Sequence, residues 1–284
     1  MEHANNDNFK LLDISYSDRQ LIVVTTDEVV KASREAEKQA AEQDRGIDWS
    51  RIGDLAFKIM FGGAVYMIAE ATREAVKAWS KARENGIQIL QIGKTESETI
   101  DFPPGHPREG LLYIGHPAIP NVYYTTAEFH RITFQHKFCE AINILMSLGA
   151  TRILVEHVSG WSKDFSSRLS LPLSETGGSV EAETGFDSHA TSKLLYEATL
   201  HGTQEPKLPE NLVWYPHEPT WQSIAIGRMD FGLKDFTLSV CYEDDYGVNA
   251  GLKIAIQKAG LELGGKFEDH QSTVWRITGQ FGVD

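Results

Sequence analysis

FKIMFGGAVYMIAEATREAV, residues 57–76, decides how this chain reads. Between Leu55 and Ala69 a single charge, Lys58, interrupts the apolar letters, and two glycines stand side by side. A helix that crosses a bilayer needs about 20 consecutive apolar residues, and this run is shorter. The contact-forming set is Leu55, Phe57, Ile59, Met60, Phe61, Gly62, Gly63, Val65, Met67 and Ile68. Three readings remain for it. A helix apolar all round is usually interior, wrapped by sheet. Alternatively, Gly62, Gly63 and Ala64 let two backbones approach closely at an oligomer contact. In the third reading the segment is packed away at first and then released onto a membrane surface.

Outward from that stretch, the helix is expected from about Arg51 to Arg83, where beyond Glu70 an Ala71, Ala75, Trp79, Ala82 stripe runs between charges. Before it, Thr25 and Glu28 have capping-box spacing at the head of an Ala/Glu/Lys/Gln-rich helix that Gly46 ends. FKLLDISYS and QLIVVTT, separated by SDR, read as a first hairpin. IQILQIGK reads as a strand, and residues 94–121 as a loop punctuated by Pro103, Pro104, Pro107, Pro117 and Pro120 around the short LLYIG.

A boundary at that loop gives residues 1–120 as a strand pair plus helical region, and 121–284 as a helix plus an antiparallel β-rich region, or one continuous domain. TTAEFHRITFQHKFCEAINILMSLGA carries Thr125 and Glu128 at capping-box spacing, a Phe134, Phe138, Ile142, Leu145, Leu148 stripe and a stop at Gly149. TRILVEHVSGW, DFSSRLSLPL and SKLLYEATLHG read as strands, with LSETGGSVEAETG a mobile loop or hairpin tip between the last two. HEPTWQSIAIGRM is a short helix with Pro219 near its start.

The tail DFTLSVCYEDDYG, VNAGLKIAIQKAGLELGGKF and STVWRITGQF reads as a β-meander. Its middle also fits a helix through Leu252, Ile256, Ala259 and Leu263, but strict alternation from Val248 to Ile256 and four glycines favour strand. The fold class that results is α+β, with long helices of the N-terminal half packed on a largely antiparallel sheet.

Composition sets further limits. A chain of 284 residues buries a core without staples. Cys139 and Cys241 form no spaced motif, which fits a reducing, cytoplasmic compartment. The start MEHANNDNFK lacks the basic and then apolar pattern of a signal peptide. With 40 acidic against 27 basic residues the formal charge is −13, which opposes phosphate backbones and argues against nucleic acid as a partner.

No nucleotide-binding glycine motif, G-x-S-x-G elbow or H-E-x-x-H occurs, so no cofactor is expected and no catalytic residue is assigned. No metal site is expected either. His136, Cys139 and Glu140 share a helical turn but read as a solvated face with a half-buried thiol. Glu243, Asp244 and Asp245 read as a polar turn, as do Glu268, Asp269 and His270.

LVWYPHEPTW sets Trp214, Tyr215 and Trp221 around two prolines and His217. The favoured reading is a corner fastening the short helix, with aromatic bodies buried and polar tips paired. The alternative is a small-ligand or enzyme pocket formed by Trp214, Tyr215, His217, Trp221 and Arg228, toward which His116, His157 and Glu218 would also converge. Arg168 and His189 flank the loop and carry no assignment.

The function expected is that of a non-catalytic protein acting by self-assembly as a homo-oligomer. Displaceable helix and long glycine-containing strands also suit membrane attachment after rearrangement, as in pore-forming proteins, by analogy of architecture.

Overall fold

The computed structural model describes residues 11–42, 69–161 and 194–282. The expected contact segment at residues 55–68 lies outside them, as do the strand expected at residues 164–173, Arg168 and His189. In chain order the elements are a 3-10 turn (Leu11–Asp13), α1 (Tyr16–Arg19), β1 (Leu21–Thr25), α2 (Asp27–Glu42), α3 (Ala69–Glu84), β2 (Leu90–Gly93), α4 (Lys94–Ser97), β3 (Leu112–Gly115) and β4 (Tyr123–Thr125). Then follow α5 (Phe129–Ser147), β5 (Ala150–Ser159), β6 (Leu194–Thr199), a 3-10 turn (Tyr215–His217), α6 (Pro219–Phe231), β7 (Asp235–Tyr242), α7 (Ala250–Ala259) and β8 (Thr273–Phe281).

The chain divides into two compact units, residues 1–130 with 246–269 and residues 131–245 with 270–284. The proline-rich segment lies within the first unit, and the division runs through α5.

In the first unit the strands are ordered β2-β1-β3-β4, with β1 and β2 parallel and the other pairs antiparallel. Alternation along each strand sends Leu21, Val23, Leu112 and Ile114 to one face and Ile22, Val24, Ile92, Tyr113 and Tyr123 to the other. The first face packs on Val29 and Ala32 of α2, Trp79 and Ala82 of α3, and Ile256 and Ala259 of α7. Trp79 donates its indole N–H to the Ile89 carbonyl, 3.2 Å away, which answers its buried polar tip.

The second unit holds an antiparallel sheet ordered β6-β5-β8-β7. Trp275 of β8 meets Phe134 and Phe138 of α5 edge-on at centroid distances of 4.8 and 5.1 Å. The stripe read from the sequence, Phe134, Phe138, Ile142, Leu145 and Leu148, is buried throughout. The α+β class therefore stands, with two sheets among the described residues.

Several expectations are corrected. Within the described residues the N-terminal-half helices α2 and α3 span 16 residues each, and the long helices expected there are not shown. The first strand of the expected hairpin is instead the 3-10 turn and α1. Ser15 accepts the amides of Asp18 and Arg19 at its carbonyl, and Arg19 is buried with its guanidinium on the carbonyls of Ile14 and Pro120. LLYIG is no loop: β3 is an interior strand of its sheet, buried at every position.

Two caps sit elsewhere than expected. Thr25 ends β1 and Thr26 receives the Val29 amide, while Thr125 ends β4 and α5 begins at Phe129. Residues 250–259 are a helix rather than a meander strand. Asn249 accepts the amides of Gly251 and Leu252, Gly260 closes the helix at φ +84°, and Ile256 and Ala259 enter the core while Ile254 stays 51% exposed. The helical stripe was the physical signal; the alternation was coincidence, since Ile254 has nothing to bury against.

No helix among the described residues is long and apolar enough to cross a membrane.

Candidate functional site

In the second unit the aromatic corner is built on one face of α5. The carboxylate of Glu140, itself buried, accepts three consecutive backbone amides: Val213 at 2.8 Å on Oε2, and Trp214 and Tyr215 at 2.8 Å each on Oε1. One turn earlier, His136 accepts the Trp214 indole N–H at its Nδ1, 2.9 Å away, so a neutral His136 carries its proton on Nε2. Lys137 pairs with Glu218, donates to the Cys241 carbonyl and lies 5.3 Å from the Trp214 ring centroid.

The helix face expected to be solvated thus grips the segment that leads into α6. This corrects the reading of His136 and Glu140: charge-assisted bonds to a partly buried run of three N–H groups outweigh the hydration of a single carboxylate. Burial lowers the pKa of His136, and the Glu140 charge opposes that shift. Cys139 is half-buried, and burial raises its thiol pKa.

The residues proposed from sequence to line a pocket are placed as follows. Trp214 and Trp221 are buried, Tyr215 is half-buried and His217 exposed. The buried Arg228 donates Nε–H to the Leu148 carbonyl at 3.1 Å and lies over the Phe281 ring, at the far end of α6 from the corner. His157 donates Nε2–H to the Gly160 carbonyl. His116 belongs to the first unit, where its Nδ1 accepts the amides of Ala118 and Ile119. Trp214, Tyr215 and Glu218 come together on α5; Arg228, His157 and His116 are each committed elsewhere. A crevice lined by Ala141, Ile144, Leu145, Trp221, Ile224 and Leu238 is apolar and has no room for a water molecule.

Toward its C-terminal end α6 exposes apolar side chains. Ile226 is 47% exposed, Met229 38% and Phe231 80%. Ile226 and Met229 share a face at i, i+3, and Phe231 precedes the left-handed Gly232 that caps the helix. Asp230 and Lys234, both exposed, border this patch with opposite signs.

In the first unit every strand brings polar groups to one end of the sheet. The parallel strands β1 and β2 finish there, and the loop entering β3 starts there. Asp27 accepts the Thr95 amide at 3.2 Å and its hydroxyl at 2.8 Å. Gly93 leaves room for this carboxylate, since a Cβ at that position would lie 1.9 Å from Asp27 Oδ1 and displace it. Glu96 accepts the Gly93 amide and both terminal nitrogens of Arg34, at 2.8 and 3.0 Å. Lys94 pairs with Glu109 at 2.6 Å.

On the other face of the sheet, Tyr113 accepts the Arg108 amide at 2.7 Å and sits 2.6 Å from His106 Nδ1. Sequence reasoning missed all of these groups. Apart from the i, i+3 pair Gly93 and Glu96, their partners are distant in sequence or joined across a loop.

No group of three or more His, Cys, Asp or Glu positioned to hold a metal occurs among the described residues. No family model, curated protein or solved structure matches this chain.

Proposed function

We propose that this protein acts by self-association, as a non-catalytic homo-oligomer whose contact includes the outer face of α6. The observation that carries the reading is the exposed pair Ile226 and Met229 on one face of α6, with Phe231 exposed at the helix end. Solvent-facing apolar side chains that gather in one place, as distinct from scattered ones, mark surfaces that another molecule covers.

The occupant is a second copy of this chain. At a formal charge of −13 two copies repel over most of their surface, and an apolar patch bordered by one charge of each sign is where they approach at least cost. A two-fold contact is made of the same patch twice, so an apolar centre is complementary to itself. Asp230 and Lys234 at its edge offer each copy an opposite charge. The corner gripped by Glu140 supports this use: it fixes the start of α6, so the patch is presented on an ordered helix and little ordering entropy is lost on contact. The apolar segment at residues 55–68 joins the proposal as a second contact, and both half-buried, unpaired thiols suit a reducing compartment.

Light-scattering mass of the full chain, alone and as Phe231→Glu, tests this. Phe231 is so exposed that the change leaves the fold intact. A dimer or larger species for the natural chain, dissociated by the substitution, is expected; a monomer in both cases, or an oligomer indifferent to the change, refutes the contact.

A further inference from the structure

We infer that His106 and Arg108 form a binding site for a small oxyanion, a carboxylate or a phosphate, at the loop that enters β3. The hydrogen bonding behind the pair fixes its chemistry. Tyr113 is fully buried, and its phenolic oxygen accepts the Arg108 amide at 2.7 Å. Its single hydrogen then goes to His106 Nδ1, 2.6 Å away. That assignment makes Nδ1 the acceptor and puts the imidazole proton on Nε2, away from Tyr113.

Burial holds the phenol proton on, raising the Tyr113 pKa, although the Arg108 amide bond and charge act against that. It also lowers the pKa of His106, with the Arg108 charge adding to the effect and Glu128 opposing it. The imidazole is thus a neutral donor with a fixed tautomer near neutral pH.

The ring is braced edge-on against Tyr113, with centroids 5.6 Å apart and planes at 85°. His106 is half-buried, and its Nε2–H meets no acceptor among the described residues. Arg108 is exposed, and its guanidinium likewise has no acceptor there. The neighbouring charges are already committed, Lys94 to Glu109 and Glu128 to Thr125. One pre-oriented N–H and one planar fork, two residues apart and both anchored through the Tyr113 hydroxyl, are the donors that a carboxylate or phosphate oxygen pair accepts. The Tyr113 hydroxyl holds both residues in place, His106 by its Nδ1 and Arg108 by its amide.

The test is a titration of the full chain, followed by NMR at the His106 ring, with inorganic phosphate in one arm and acetate in the other, and with chloride at matched ionic strength as the control. Saturable shifts that chloride does not reproduce, with the His106 pKa rising on binding, are expected. Saturation by phosphate or by acetate identifies which oxyanion the site takes. Arg108→Ala, at an exposed position, should weaken binding by about 10- to 100-fold, and Arg108→Lys should weaken it less. Linear shifts equal to those in chloride, or saturation unchanged in Arg108→Ala, overturn the assignment.

Discussion

Glu140→Ala removes the acceptor of three consecutive amides at once. A hydrogen bond to a charged group contributes about 1.5–3 kcal/mol, and an orphaned buried donor costs a similar amount. Trp214 is buried at 6% exposure, so its amide bears that loss in full, about 2 kcal/mol. Val213 and Tyr215 are half-buried, and water recovers roughly half of each bond, which leaves about 1 kcal/mol apiece. The sum is about 4 kcal/mol for the unit of residues 131–245 with 270–284.

Glu140→Gln keeps a carbonyl for Trp214 and Tyr215 but turns an amide N–H toward Val213, so about 1–2 kcal/mol is lost. Urea unfolding followed by tryptophan fluorescence gives the midpoint shift. Hydrogen exchange at the amides of residues 213–215 reports the same loss locally. Unchanged exchange there, or an alanine variant within about 0.5 kcal/mol of the natural chain, refutes the account of how α6 is anchored.

His136 adds a pH dependence whose sign follows from its environment. Its folded pKa is lowered from 6.5, so the unfolded chain takes up the proton first; the stabilisation is complete above pH 6.5 and is lost as pH falls toward the folded value. Urea midpoints measured from pH 7.5 down to pH 5 should decline in the natural chain and decline less in His136→Gln; equal slopes would refute the assignment. Asn249→Ala uncaps α7 and should lower stability by about 1 kcal/mol, read as a reduced urea midpoint of the first unit, whereas no shift would mean the cap is idle.

What the sequence made legible was local. The Phe134 to Leu148 stripe, Pro219 at the start of α6 and the alternation of Phe236, Leu238 and Val240 in β7 each encode an element within a few residues, and each is present. Residues 248–256 were ambiguous because Leu252 and Ile256 satisfy both periods; only the Asn249 cap and the exposure of Ile254 distinguish them. Leu11 to Ser17 read as strand because Leu, Ile and Tyr dominate there, while the buried Arg19 that follows is held by the Pro120 carbonyl about a hundred residues away.

The candidate sites were the least legible. Glu140 and Trp214 are 74 residues apart, and Asp27 and Thr95 are 68 apart. A polar residue on a helix wheel looks solvated until the segment that covers it is known. The tautomer of His106 likewise depends on Tyr113 reaching it across the loop.

Cross-linking across the α6 face is the most direct measurement of self-association. Asp230→Cys places a thiol beside the exposed Ile226 and Met229 face of α6, and Leu12→Cys places one at an exposed apolar position of the first unit as a control. Mild oxidation should join Asp230→Cys chains into disulfide-linked dimers and leave Leu12→Cys largely monomeric. Equal cross-linking of both variants, or none of Asp230→Cys, would contradict a second copy seated on α6.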